Sequence, residues 1–222
     1  MDAPHLVYFA DPMCSWCWGF AAVIDAVRDR WGGRLPIRLV MGGLRPGTTE
    51  AMAEPAKAEL RGHWAHVTEA SGQPFGPSGM DAQGFVYDTD PAARAVVFLR
   101  GRAPGREVDF LHILQHAFYA GGQDVTRPRV LAELAAPFGI EPEAFLTAFD
   151  TDAAKQAAWR DYAVSRGAGV SGFPTLILGP RTDGTYVAIS RGFQSKDVVV
   201  PAIAHCLEAR VLPGAPRAGE VC

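Results

Sequence analysis

Cys14 and Cys17, two residues apart, are the side chains whose types and spacing most directly imply chemistry. A C-x-x-C pair can close a reversible disulfide, contribute to a zinc site, or arise by chance. Its surroundings favour the redox reading. The apolar run Leu6-Val7-Tyr8-Phe9-Ala10 precedes it, and Ala21-Ala22-Val23-Ile24-Asp25-Ala26-Val27, dense in helix formers, follows. Strand, tight turn and helix would put the pair in the first helical turn. Free backbone N–H groups and the positive dipole end there favour thiolate over thiol. A second thiol one turn on can close a disulfide or resolve a mixed one.

The elements that must hold this pair follow from periodicity and punctuation. Residues 5–10 read as a central strand, 15–31 as a helix stopped by Gly32-Gly33, and 35–41 as a second strand. Strand, helix and strand in so short a span make a parallel, right-handed βαβ unit. Helical texture then takes over: 49–71, with Pro55 as a kink or a true start, 90–102 behind Asp90-Pro91, 107–120, 127–138, 142–149 and 151–166. Residues 72–89 read as a long loop. Strands return at 175–178 and 186–191, joined through Asp183-Gly184, and a last helix spans 195–211. Pro201 is awkward in that helix unless it lies in the first turn. The expected fold is α/β: a thioredoxin-like core, βαβ–ββα, from residues 1–47 and 168–212, with an all-helical insertion at 48–167 and a flexible tail at 213–222. The insertion should cover the C-x-x-C end as a lid.

Composition excludes several classes. A net charge of −3 from 21 basic and 24 acidic residues leaves no electrostatic footprint for nucleic acid or an anionic membrane. No apolar run approaches the roughly 20 residues that span a bilayer. The N-terminus lacks the basic region of a secretory signal, so a cytoplasmic protein is expected. In a reducing compartment four cysteines are not a disulfide framework. Cys206 lies in an apolar helical stretch and reads as a buried, inert thiol. Cys222 ends the chain, as an incidental thiol or as a mobile third redox partner.

The second informative stretch is Gly169-Val170-Ser171-Gly172-Phe173-Pro174-Thr175, a proline directly before a strand core. Together with the strand, the C-x-x-C at a helix start and the helical insertion, it resembles the DsbA-like thioredoxin-fold disulfide oxidoreductases. The resemblance covers essentially the whole chain. It is nearest the cytoplasmic branch of predicted protein-disulfide isomerases with a C-S-W-C motif, here within Asp11-Pro12-Met13-Cys14-Ser15-Trp16-Cys17-Trp18-Gly19-Phe20. It implies a cis Phe173-Pro174 bond beside the sulfurs, Cys14 as nucleophile and Cys17 as resolving thiol. Backbone groups next to Pro174 would pair with a bound peptide as an added strand. Phe173, Ser171, Trp18 and Trp16 are the candidate substrate contacts.

The sequence also departs from that family. Strong oxidants carry a histidine beside the second cysteine; Trp16 offers no charge, so the thiolate gains less and the couple should be a weaker oxidant, suited to reduction or isomerisation. Related enzymes often place a buried carboxylate six residues before the nucleophile, where this chain has Tyr8. Water or Asp11 would then handle the Cys17 proton, although a loop or capping role suits Asp11 better.

His112 and His116 share a helix face at i, i+4, but no third ligand is placed and no metal is expected. His63 and His66 read as solvated, and Trp64, Phe75, Phe85 and Trp159 as core. Three function classes remain. The favoured one is a thiol–disulfide oxidoreductase acting by mixed disulfide on protein or small-thiol substrates, with no cofactor beyond its own dithiol and with glutathione as a thiol it could use. The second is a glutathione-dependent isomerase or transferase like the 2-hydroxychromene-2-carboxylate isomerases and kappa-type transferases, which generally have serine at the nucleophile position. The third is a binding or chaperone module with structural or zinc-holding thiols.

Overall fold

The computed structural model describes residues 3–211. β1 (His5–Ala10), β2 (Ile37–Met41), β3 (Thr175–Gly179) and β4 (Val187–Arg191) form one sheet in the order β2-β1-β3-β4. β1 runs parallel to β2 and antiparallel to β3, and β3 antiparallel to β4. Successive side chains point to opposite faces of a strand. Leu6, Tyr8 and Ala10 therefore enter the main core, while Val7 and Phe9 join Val40 in a smaller cluster on the other face. The unbroken apolar run of β1 reflects this burial on both sides.

The helix expected over 15–31 is two helices, α1 (Ser15–Gly19) and α2 (Ala21–Trp31). The break falls at Phe20, whose ring is fully buried 5.8 Å from Tyr8 and 6.3 Å from Phe193. Immediately before it, the backbone of Gly19 meets the insertion so closely that a Cβ would lie 3.1 Å from both Val67 and Ser71. Gly32, at φ 51°, then ends α2.

Six helices fill the span between β2 and β3: α3 (Glu54–Ser71), α4 (Asp90–Arg100), α5 (Glu107–Tyr119), α6 (Pro128–Ala135), α7 (Pro142–Phe149) and α8 (Asp152–Gly167). Pro55 lies in the first turn of α3 and marks its start. Asp90 is already inside α4, and the Asp88 carboxylate accepts its N–H at 3.0 Å. Residues 72–89 are not wholly irregular: Gly79–Asp81 is a 3-10 turn, and Ala51 bridges to Val86. α9 (Lys196–Val211) carries Pro201 at its sixth residue, beyond the first turn and on an exposed face.

Trp64 and Phe85 are buried, and Phe75 stacks on Trp64 at 5.1 Å. Trp159 is not core; it is 47% exposed. α8 turns Ala158, Tyr162 and Ser165 inward, and Trp159 follows about 100° round the helix from Ala158. Cys206 is buried on α9. Cys222 and the tail 213–222 lie outside the described residues.

The helical block does reach the C-x-x-C end. Trp18 Nε1 donates to the Pro74 carbonyl at 3.0 Å, and Gln73 Nε2 donates to the Trp18 carbonyl at 3.1 Å.

Candidate active site

The turn between β1 and α1 is built by its own polar groups. Asp11 is fully buried; its Oδ1 accepts the Met13 N–H at 3.0 Å and its Oδ2 the Leu44 N–H at 2.9 Å. One carboxylate thus ties the cysteine turn to the segment after β2. The Tyr87 hydroxyl donates to the Met13 carbonyl at 2.5 Å. Cys14 follows as the N-cap residue of α1, in an extended conformation.

Cys14 is 7% exposed and Cys17 is fully buried one turn deeper. Both are thiols in this structure. The Cys14 sulfur donates to the Phe173 carbonyl at 3.6 Å, and no amide of α1 is bonded to it. A protonated thiol is a donor, so it takes the nearby carbonyl rather than the helix amides. Burial, then the facing Cys14 sulfur, push the Cys17 thiol well above its ordinary value. A bond from the Cys14 sulfur to another group removes the second of these influences and so makes the Cys17 thiolate easier to form.

The Phe173–Pro174 bond is cis, the isomer the resemblance implied, as is Gly179–Pro180. Gly192 N–H donates to the Pro174 carbonyl at 2.7 Å, and Thr175 Oγ1 to the Gly172 carbonyl at 2.8 Å, which fix the loop. The Phe173 ring packs on Gly42: a Cβ there would fall 2.1 Å from Phe173 Cζ.

Tyr8 lies beneath the pair. Its phenol is fully buried, has no nitrogen or oxygen partner, and is pushed up by burial and by the sulfurs of Cys17 and Cys14. The position that the family often gives to a carboxylate thus holds a neutral hydroxyl. Trp16 is half-buried, its ring 5.5 Å from Phe193 and 5.7 Å from His63. Trp18 is buried and lines a separate cavity of about 500 Å³ with His112 and His116, whose walls include neither cysteine. Ser171 is exposed on the loop before Pro174. Among the described residues no three His, Cys, Asp or Glu side chains gather as a metal site; His112 instead faces Asp25 at 3.5 Å.

A family model, the DSBA-like thioredoxin domain, matches residues 5–203. The chain belongs to this family. A candidate protein disulfide isomerase from Nitrosomonas europaea superposes on this DsbA-like chain with a TM-score of 0.82 at 34% identity, over 93% of this chain and 98% of that one. The cytosolic disulfide reductase DsbM of Pseudomonas aeruginosa superposes at 0.74 with 26% identity, over 92% and 98%, and is also known with GSH bound. The ClpXP adapter protein SpxH of Bacillus subtilis is 25% identical over 182 residues. That match takes in 78% of this chain and 58% of SpxH, so the chain spans a little over half the length of its curated relatives.

Three site residues of the DsbA-like chain gave no functional signal in the sequence. Gly42 reads there only as a strand end, yet it makes room for the Phe173 ring. Tyr87 reaches Met13 from 74 residues away. The double grip of Asp11 involves Leu44, which no local pattern links to it.

Burial, the largest influence, pushes Asp11 from the usual carboxylate value of 3.8 up to about 6. The folded state therefore keeps this proton longer than the unfolded chain. The stabilisation is complete below about pH 4 and is lost as pH rises through about 6. Denaturant unfolding across pH 4–7 should show the native sequence losing up to about 3 kcal/mol relative to Asp11→Asn. The lost Leu44 contact shifts the variant's curve without changing its slope, and equal slopes for the two proteins would refute the assignment.

Proposed function

We propose that this protein is a thiol–disulfide oxidoreductase working through Cys14 and Cys17 on protein or small-thiol substrates. One observation carries the reading: the slightly exposed Cys14 sulfur lies 3.6 Å from the carbonyl next to a cis proline, with the Cys17 thiol buried behind it. The Cys14 thiolate attacks one sulfur of a substrate disulfide, forming a mixed disulfide and releasing the other sulfur as thiolate. Cys17 then gives up its proton and attacks the Cys14 sulfur. The substrate leaves with two electrons and the protein keeps a Cys14–Cys17 disulfide. Run backwards, the same steps oxidise a dithiol; if instead another thiolate of the substrate attacks the mixed disulfide, Cys14 leaves as thiolate and the substrate keeps a rearranged disulfide.

Phe173 supplies the docking edge. The Pro174 carbonyl is engaged by Gly192, whereas the Phe173 N–H meets no acceptor among the described residues and its carbonyl meets only the Cys14 thiol. One donor and one acceptor on the same residue suit an extended substrate laid alongside. With Trp16 between the cysteines in place of a cation, reduction or isomerisation in the cytoplasm is the favoured direction. A cytosolic reductase as structural neighbour supports this, and its GSH-bound form supports glutathione as electron donor.

Trapping tests the mechanism. A Cys17→Ala variant incubated with oxidised insulin or glutathione disulfide should accumulate a mixed disulfide at Cys14, visible by mass and released by dithiothreitol. An adduct at Cys206 instead, or none, would refute the assignment of Cys14.

A further inference from the structure

We propose that the cavity beneath the loop 168–173 is a carboxylate subsite, which holds one end of a low-molecular-weight thiol while its sulfur is exchanged at Cys14. The inference rests on the oxidoreductase reading and adds the place where such a thiol's carboxylate would be recognised.

The cavity has a volume of about 270 Å³ and opens on the sheet face opposite α1. β-register builds its floor. Phe9 of β1 pairs with Thr175 of β3, and Thr175 pairs with Arg191 of β4, so the three form one cross-strand row. Phe9 belongs to the small cluster on this face, together with Phe173 and Ile177. All five of these residues line the cavity, with the loop as the other wall.

Arg191 is the one charged residue among those lining it. Its side chain is exposed and makes no ion pair or hydrogen bond among the described residues. Several other arginines of this chain hold a carboxylate or a carbonyl, as Arg28 and Arg100 do with Asp109 and Asp161. A free guanidinium over an apolar floor suits a planar anion, because its fork matches a carboxylate with two parallel N–H···O bonds. The N–H groups of Ser171 and Gly172 also meet no acceptor among the described residues. Two consecutive open donors on one wall and a lone cation on the other favour negative charge.

Neither cysteine lines the cavity, and one residue, Phe173, stands between it and the reacting sulfur. The Phe173 ring lines it, and the Phe173 carbonyl receives the Cys14 thiol. On this proposal a peptide-sized thiol disulfide-bonded to Cys14 reaches past Phe173 to place its carboxylate in the cavity, whereas a thiol without a carboxylate gains nothing there. In the exchange the Cys14 thiolate attacks a symmetrical small disulfide and one small thiolate leaves. Cys17 then displaces the second, so the protein is oxidised by two electrons and the disulfide is reduced to two thiols.

The test is a ratio of rates. Reduced protein is mixed with glutathione disulfide, which carries carboxylates, and with bis(2-hydroxyethyl) disulfide, which has none. The preference for glutathione disulfide should fall about tenfold in Arg191→Gln, the scale of one lost charge-assisted pair, and largely return in Arg191→Lys. Ethyl-esterified glutathione disulfide should lose a similar factor on the unaltered protein. An unchanged ratio in Arg191→Gln overturns the subsite while leaving the oxidoreductase reading intact. A native protein that reacts with neither disulfide overturns both. Insulin reduction is the protein arm: if Arg191→Gln slows it as much as glutathione disulfide, the small-thiol assignment fails.

Discussion

Cys14→Ser is expected to lower disulfide reduction by at least roughly 10³-fold, because a serine hydroxyl is not ionised near neutral pH and cannot replace the thiolate nucleophile. The site is nearly enclosed, at 7% exposure, and serine is close to cysteine in size, so the fold should survive with a change of under about 1 kcal/mol. Insulin turbidity and thermal melting on the same samples separate the two effects. The contrast with Cys17 is the stronger test. Cys17→Ala should also stop turnover, but only after one exchange, since Cys14 still attacks and nothing displaces the product. A Cys14→Ser variant that reduces insulin at even a tenth of the native rate would place the nucleophile elsewhere.

Gly42→Ala should be the most damaging single methyl in the chain near the site. The added Cβ would lie 2.1, 2.3 and 2.6 Å from three atoms of the Phe173 ring, well inside van der Waals contact. The ring cannot turn away cheaply, because it packs on Val7, Phe9 and Val40. Overpacking of this kind costs about 1–3 kcal/mol, read from the denaturant midpoint. Activity should fall with it, since the Phe173 carbonyl that faces Cys14 moves with its ring. The cost should be partly relieved in Gly42→Ala/Phe173→Ala, where the clash is gone, so the two substitutions should be non-additive. Strict additivity would mean that the ring is not what Gly42 accommodates.

Some of this was legible in sequence and some was not, and the division is physical. The strands, the C-x-x-C turn and the proline before β3 depend on near neighbours, and pattern carries near neighbours well. Pro55 as a helix start is equally local, whereas Thr151, expected as the first residue of its helix, is its cap and accepts the Ala154 N–H at 3.3 Å. The break at Phe20 was not legible, since it reflects α3 crossing Gly19 and a ring seated against Tyr8. Trp159 shows the same limit: its type argued for burial, but the facing of α8 is set by Ala158 and Tyr162. Trp18 follows the motif directly, yet it lines a cavity that lacks both cysteines. Arg191 drew no attention because its meaning lies in the strand pairing that puts it opposite Thr175.

On the proposed reading, the hydrogen bond from Gly192 to the Pro174 carbonyl limits the backbone grip on a client. It leaves Phe173 to offer a visiting strand a single rung of two bonds, each netting about 0.5–1.5 kcal/mol. That total falls short of the roughly 4 kcal/mol behind even millimolar affinity. A backbone grip this slight would leave side chains such as Arg191 to distinguish one partner from another. The fleeting sulfur–sulfur link would then do most of the holding, with quick departure once Cys17 cuts the link.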